Sequence, residues 1–183
     1  RSFIGKKITE IAKAQEVTVE EAIINLLLIS EGRISIFLDT LNEKNVKTGL
    51  CHELSFVASD SAGYNIEYYQ KKSDLVHPRC FGTFPRFLGR YVEQEHLLNW
   101  EEAIRKITFG PAQKMGLKDR GLIKEGYWAD LVIINPNEVI DKGTFENPYQ
   151  FPKGIKYVFV NGEIAVEDEN ITGKKAGQIL KKS

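Results

Sequence analysis

The sequence of 183 residues has few cysteines, no excess of either charge and no long apolar run. Its two cysteines, Cys51 and Cys80, are too few for a disulfide framework, so we expect a reducing, cytoplasmic location. Basic and acidic residues number 25 each, and this balance argues against a nucleic-acid or anionic-membrane partner. No stretch approaches the roughly 18 apolar residues that span a bilayer. Residues 1–20 lack the apolar core of a signal peptide.

Short motifs of several large enzyme classes are also missing. The sequence contains no GxxxxGK[ST] phosphate loop, no GxGxxG after a strand, no GxSxG elbow and no HExxH pair. The sequence therefore carries no motif that would indicate a nucleotide hydrolase, a Rossmann dehydrogenase or a serine hydrolase. The chain begins with Arg1 and its sole methionine is Met115, so we expect it to be a piece of a longer protein.

Local signals in the first part predict alternating helices and strands. Thr18 and Glu21 have the spacing of a capping box, which predicts a helix start, and residues 41–50 predict a second helix. The stretches 33–38 and 54–60 are short, apolar and rich in β-prone residues, which predicts strands. This alternation favours a parallel α/β sheet.

The second part changes character. Asn99 predicts a further helix start, and residues 127–134 predict a strand. Asn161-Gly162 predicts a tight β-hairpin, because a type I′ turn needs two residues that tolerate positive φ. We therefore expect an α/β part up to about residue 117 and a smaller β-rich part after it.

Two residues, one just before a long irregular segment (residues 61–85) and one near its end, are candidates for chemistry. Asp60 ends the predicted strand 54–60, and a carboxylate at the carboxyl end of a parallel strand can bind a metal or accept a proton. An aspartate that caps a turn fits the same pattern. Arg79 offers a rigid fork of donors for an anionic substrate group, although a surface salt bridge fits as well.

The cysteines and histidines do not form a recognisable metal motif. Cys51, His52 and Cys80 lack a CxxC pairing or a second histidine at ligand spacing, so we interpret them as structural. His96, among acidic neighbours before a helix start, is interpreted as a surface residue.

Residues 77–91, HPRCFGTFPRFLGRY, closely resemble the HPRxxGTFPRxLGxY block of the D-aminoacylases, or N-acyl-D-amino-acid deacylases. These enzymes belong to the metal-dependent amidohydrolase superfamily. Residues 98–116, 121–136 and 157–167 are similar to the family too, and the good matches cover about residues 54–180. The ADLVI and VNG pieces recur across the superfamily, whereas the HPR block is more specific.

The resemblance implies an α/β fold. Residues 1–117 would form the last few units of a (β/α)8 TIM barrel, and residues 118–183 the C-terminal strands of a β-sandwich. Asp60 would be the catalytic, metal-site carboxylate that accepts the proton of the attacking water and delivers it to the leaving amine. Arg79 would bind the α-carboxylate of the N-acyl-D-amino acid. The family's HxH pair, bridging residue and further histidines are missing from this chain.

The resemblance therefore predicts the C-terminal portion of a zinc-dependent hydrolase that cleaves N-acyl-D-amino acids. We expect this chain alone to be inactive, because one carboxylate is not a zinc site. A partial barrel would leave an open edge and an apolar face, so we also expect self-association. Two alternatives stay open, namely a dihydroorotase- or hydantoinase-like amidohydrolase and a non-catalytic interaction module.

Overall fold

The computed structural model describes residues 3–66, 68 and 76–181. The chain divides into two compact units, Arg1–Thr40 and Leu41–Ser183. Part of the long segment predicted as irregular, residues 67 and 69–75, lies outside the described residues. None of the helices in the described ranges combines the length and the apolar content that a bilayer span requires.

The described residues form six α-helices, one π-helix and four strands. The α-helices are α1 (Ile8–Gln15), α2 (Val19–Ile29), α3 (Glu43–Cys51), α4 (Arg79–Arg86), α5 (Trp100–Ile107) and α6 (Phe109–Met115). The π-helix spans Phe87–Gln94. The strands are β1 (Leu131–Ile134), β2 (Ile155–Val160), β3 (Glu163–Glu167) and β4 (Asn170–Ile171).

In the first unit, α1 and α2 pack through a small apolar cluster that includes Ile11 and Ala22. The capping box predicted at the start of α2 is confirmed. The Thr18 hydroxyl accepts a hydrogen bond from the Glu21 amide, and the Glu21 carboxylate accepts one from the Thr18 amide. Two amides at the helix start are thereby satisfied.

Two of the predicted strands are wrong. Residues 33–38 and 54–60 are extended or irregular without strand pairing, and the sheet that the described residues do form is antiparallel throughout. The physical reason is that a strand takes its backbone hydrogen bonds from a neighbouring strand, which β-propensity alone cannot provide. The parallel sheet expected from these two stretches is therefore not present in the part of the chain that the structure describes.

The core of the second unit is built around the π-helix. Phe87, Leu88, Tyr91 and Val92 are buried there against Ala103 of α5, and Val139 joins the same cluster. The backbones approach closely at one point, because a Cβ at position 89 would overlap the Val139 carbonyl oxygen, which explains the glycine. Glycine thus lets the π-helix lie directly on the segment that follows β1.

Two helices follow the π-helix, and the start of the first matches the sequence prediction. The Asn99 side chain accepts a hydrogen bond from the Glu102 amide at the start of α5. Pro111 lies in the first turn of α6, where its missing amide donor costs nothing. Gly116, with φ of 80°, ends α6 in the left-handed conformation.

The sheet has the order β1-β2-β3-β4, with each neighbouring pair antiparallel. The predicted hairpin is confirmed, since Asn161 and Gly162 join β2 to β3 with φ of 50° and 84°. The strand predicted from residue 127 begins only at Leu131. All four strands lie after residue 117, although the domain boundary at that position and the barrel before it stay predictions.

Candidate functional site

The two residues singled out from the sequence are in direct contact. Nη2 of Arg79 lies 2.6 Å from Oδ2 of Asp60, although the residues are 19 positions apart. The pair is open to solvent, with the Asp60 side chain 85% exposed and that of Arg79 44% exposed. A group that approaches from solvent can therefore reach both side chains.

Arg79 is held at the first turn of α4. The imidazole Nδ1 of His77 accepts a hydrogen bond of 3.1 Å from the Arg79 amide. The Thr83 hydroxyl, one turn later, donates to the Arg79 carbonyl at 2.9 Å. The first bond satisfies an amide at the helix start, where intrahelical acceptors are lacking, and the second is an additional bond within the helix.

His77 lies two residues before Arg79, and the fold shifts its pKa. Partial burial lowers its pKa, and the positive charge of Arg79 lowers the pKa further. Its ring meets the Phe145 ring edge-on, with 5.0 Å between the centroids. A neutral imidazole is needed for Nδ1 to accept the Arg79 amide, so the lowered pKa favours the protonation state that this contact requires.

An aromatic cluster ties α4 to the segments around it. The Phe81 ring packs against the rings of Tyr149 and Phe151 at centroid distances of 5.9 and 6.3 Å. It also lies 6.3 Å from the ring of Tyr64, four residues after Asp60. The chain that follows Asp60 and the helix that begins at Arg79 therefore share one anchor.

The segment that leads to Asp60 is held by α5 and α6. The Val57 amide donates to the Lys106 carbonyl at 3.5 Å, and the Val57 side chain packs against the core cluster. The Phe56 ring covers Gly110, where a Cβ would come within 2.5 Å of the ring. Packing and single hydrogen bonds thus replace the strand pairing that the sequence predicts here.

The described residues do not fit a zinc site by themselves. Among them, no group of three or more His, Cys, Asp or Glu side chains comes together where a metal could bind. Asp60 offers one carboxylate, and zinc sites use three or four protein ligands. Cys51 ends α3, and the Nδ1 of His52 accepts a hydrogen bond from the Leu54 amide.

A polar latch in the β-rich part, formed by Arg120, Asp130 and Asn161, joins two sequence motifs. Arg120, only 8% exposed, donates to the carboxylate of Asp130 and, at 2.7 Å, to the side-chain oxygen of Asn161. The other Asp130 oxygen accepts the Asn161 amide at 2.8 Å. The ADLVI and VNG pieces therefore meet each other at the hairpin turn, and in this chain their polar residues serve structure.

Comparison with known proteins agrees with the motif. A model of the amidohydrolase family matches residues 76–166, a range that contains Arg79 and begins after Asp60. The chain belongs to the amidohydrolase family. The resemblance to the D-aminoacylase branch is confirmed by a D-aminoacylase of Alcaligenes xylosoxydans xylosoxydans, which is 42% identical over 76% of this chain and 27% of its own length.

Two solved amidohydrolases have a similar structure. One is a D-aminoacylase with a binuclear metal centre, 32% identical, with a TM-score of 0.76 over 93% of this chain and 33% of its own. The other is the N-acyl-D-glutamate deacylase of Bordetella bronchiseptica in complex with zinc and a phosphonate inhibitor. It is 28% identical, with a TM-score of 0.71 over 88% of this chain and 31% of its own. The chain thus spans about a third or less of each of these relatives.

Proposed function

We propose that the whole protein hydrolyses the amide bond of N-acyl-D-amino acids to a D-amino acid and a carboxylate. The relatives named above, a D-aminoacylase and an N-acyl-D-glutamate deacylase, support this substrate class. The observation that carries the proposal is the 2.6 Å contact between Asp60 and Arg79, because it joins a proton carrier to a carboxylate-binding group.

The chemistry of the substrate explains why these two groups need to be neighbours. In an N-acyl amino acid the α-carboxylate and the amide nitrogen are bonded to the same Cα, so the carboxylate carbon and the nitrogen lie about 2.5 Å apart. A guanidinium that binds the α-carboxylate therefore brings the scissile nitrogen close to itself. A carboxylate beside that guanidinium is then within reach of the leaving amine.

Arg79 is proposed to bind the substrate. Its guanidinium has five N–H donors in a fixed plane, and one nitrogen faces Asp60. The remaining donors can bind the substrate α-carboxylate in a forked, charge-assisted pair. Arg79 would thereby orient the amide without taking part in bond breaking, which is a contribution of the proximity type.

Asp60 is proposed to carry the proton. As the water oxygen bonds to the amide carbon, its O–H bond breaks and the carboxylate of Asp60 accepts the proton. When the C–N bond breaks, the same proton passes to the amine nitrogen, so the amine leaves in neutral form and Asp60 returns to its carboxylate form. An amide needs this second transfer because an unprotonated amide anion is a poor leaving group.

Zinc is proposed as the cofactor of the whole protein. A zinc complex of the N-acyl-D-glutamate deacylase supports this choice, and a Lewis acid would polarise the scissile carbonyl. The remaining zinc ligands would come from outside this chain, since its described residues do not assemble a site. We therefore propose that the 183-residue chain has no hydrolase activity by itself.

The finer features of the fold and location belong to the same proposal. From the family resemblance we propose a barrel portion in residues 1–117 and a β-sandwich portion in residues 118–183, and the TM-scores support a fold shared with the two solved amidohydrolases. Cys51 and Cys80, both free thiols, fit a reducing cytoplasm.

A pair of assays tests the proposal. The whole protein, purified with zinc, is expected to release the D-amino acid from N-acetyl-D-leucine and to leave the L-enantiomer intact. A chelator should abolish turnover, and added zinc should restore it. The 183-residue chain under the same conditions is expected to give no turnover.

The same assays discriminate the alternatives. Hydrolysis of hydantoin or dihydroorotate without action on N-acetyl-D-leucine would favour the sister amidohydrolases. A whole protein that hydrolyses neither class of substrate with zinc present would contradict the proposal and favour a non-catalytic module. Turnover by the 183-residue chain would contradict its proposed inactivity.

A further inference from the structure

Lys106, in the last turn of α5, is a lysine without solvent exposure. Its ammonium group donates to the carbonyl oxygen of His52 at 2.5 Å and to the carbonyl and hydroxyl oxygens of Ser55, both at 3.1 Å. Lysines are rarely buried this completely, because removing an ammonium from water is costly. The residues it binds therefore identify what it does in this fold.

The Lys106 ammonium has a countercharge in addition to its hydrogen bonds. The Glu102 carboxylate lies 3.6 Å from the Lys106 ammonium, one turn earlier on the same helix. A hydrogen bond from Arg105 holds the pKa of Glu102 at about 2, so this carboxylate is ionised at neutral pH. Lys106 thus has a full set of acceptors and a countercharge, which makes its buried ammonium stable in place.

All three of its acceptor oxygens belong to the segment that leads to Asp60. His52 and Ser55 precede the catalytic candidate by eight and five residues, and the backbone carbonyl of Lys106 also accepts the Val57 amide. Residues 54–60 are not in a strand, so this lysine supplies tertiary bonds that a sheet would otherwise supply. The Lys106 side chain therefore adds three hydrogen bonds to the packing that holds the backbone just before Asp60.

We infer that Lys106 is a positioning residue that sets the location of Asp60 for proton transfer. The inference rests on the proposed function, in which Asp60 carries the proton. An apolar side chain of similar length would fill the same volume but would leave the oxygens of His52 and Ser55 without a donor. The ammonium thus specifies the backbone path in addition to filling space.

The test uses Lys106→Met in the whole protein, because methionine keeps the length and removes the donors. We expect kcat for N-acetyl-D-leucine to fall by about 10- to 100-fold, the effect of a displacement near 1 Å in a catalytic group. KM should stay within about twofold on the same argument, since Arg79 on α4 binds the substrate. Because a smaller folded fraction would also lower the apparent kcat without changing KM, kcat is expressed per zinc-loaded site.

Val92→Ala is the matched control for stability. Val92 is buried in the core cluster, so its truncation lowers stability but leaves in place every hydrogen bond that the Lys106 ammonium makes to His52 and Ser55. Both variants are assayed at the same interval below their own Tm, with active sites counted by zinc content. Val92→Ala is expected to keep the wild-type kcat per zinc under these conditions, whereas Lys106→Met is not.

A milder variant covers the case in which Lys106→Met does not fold. Ser55→Ala removes one of the three acceptors and leaves the ammonium two others, so we expect kcat to fall by about threefold or more with KM unchanged. Wild-type kcat in Lys106→Met overturns the inference, and so does wild-type kcat in Ser55→Ala if Lys106→Met is not folded.

Asp60→Asn separates this inference from the proposed function. Full activity in Asp60→Asn would contradict the proposed role of Asp60 and with it the basis of the inference. An inactive Asp60→Asn protein combined with wild-type kcat in folded Lys106→Met would overturn the Lys106 inference alone. A loss of kcat in both variants, with KM preserved in Lys106→Met, supports both.

Discussion

The guanidinium of Arg79 and the carboxylate of Asp60 form an ion pair of 2.6 Å across 19 residues of sequence. Both side chains are substantially exposed, and exposed ion pairs add little to stability. The contact is therefore of more consequence for chemistry than for folding. It brings together a group suited to bind an α-carboxylate and a group suited to carry a proton to the neighbouring nitrogen.

Replacing Asp60 by asparagine is expected to remove the proton carrier and keep the size of the side chain. In the whole protein, kcat for N-acetyl-D-leucine should fall by about 10²- to 10⁴-fold, the usual contribution of general acid–base catalysis. Steady-state kinetics measures this change. Asp39→Asn, at another exposed aspartate, is the control and should leave kcat unchanged. Wild-type turnover in Asp60→Asn would rule out the proposed role.

Replacing Arg79 by lysine is expected to weaken substrate binding. Lysine keeps the charge but loses the planar fork, and a charged hydrogen bond contributes roughly 1.5–3 kcal/mol, so KM should rise by about 10- to 100-fold. The measurement is KM in the whole protein. Arg33→Lys, at an arginine paired locally with Glu31, is the matched control. An unchanged KM for Arg79→Lys would contradict the assignment.

The hydrogen bond from the Arg79 amide to the imidazole of His77 predicts that stability depends on pH. The pKa of His77 is lowered in the folded chain, first by burial and then by the charge of Arg79. A lowered pKa means that the folded chain prefers the neutral imidazole, so deprotonation of His77 stabilises the folded state. This contribution is present above the unfolded value of about 6.5 and is lost as the pH falls through the lower folded value.

Urea unfolding of the 183-residue chain at pH 7.5 and pH 5.5 measures the effect. The wild-type chain should lose stability between these values, and His77→Asn should lose less, because its amide oxygen can accept the Arg79 bond at either pH. His96→Asn, at an exposed histidine, is the matched control and should lose as much stability as the wild-type chain. Equal losses in the wild-type chain and His77→Asn would refute the titration of His77 as the cause.

The latch around Arg120 predicts that replacing Asp130 lowers the stability of the chain. Asp130→Ala removes acceptors from the nearly buried Arg120 guanidinium and from the Asn161 amide. Leaving buried donors unpaired costs about 1–3 kcal/mol, so the urea midpoint should fall accordingly. Glu125→Ala, at an exposed position nearby, should change the midpoint little. A fall in the urea midpoint that is larger for Glu125→Ala than for Asp130→Ala would show that the latch does not hold the hairpin.

The exposed apolar face of α2 predicts self-association of this chain. Ile24, Leu28 and Ile29 are 55%, 71% and 75% exposed, which is unusual for large apolar side chains on one helix. Light scattering coupled to gel filtration should give a mass above the 20.8 kDa of one chain. Leu28→Lys should shift the mass towards the monomer, whereas Asn45→Lys should not. A wild-type chain that is monomeric at all concentrations would contradict the prediction.

The local elements were predictable from the sequence because their causes are local. The start of α2 at Thr18 and that of α5 at Asn99 follow from side chains that bond to amides three residues on. The hairpin follows from two adjacent residues that tolerate positive φ, Asn161 and Gly162. The family was also recognisable from a single continuous block, residues 77–91.

The tertiary structure alone decided what depends on distant partners. The stretches 33–38 and 54–60 have β-prone residues, but a strand also needs a neighbour to bond with. Lys106 lies three residues after the buried Ala103, on the same face of α5, so its position on the buried face follows from helix periodicity. Its acceptors lie more than 50 residues away, and the contact of Asp60 with Arg79 crosses a long segment. Local sequence cannot specify such contacts, because their geometry is set by packing between elements.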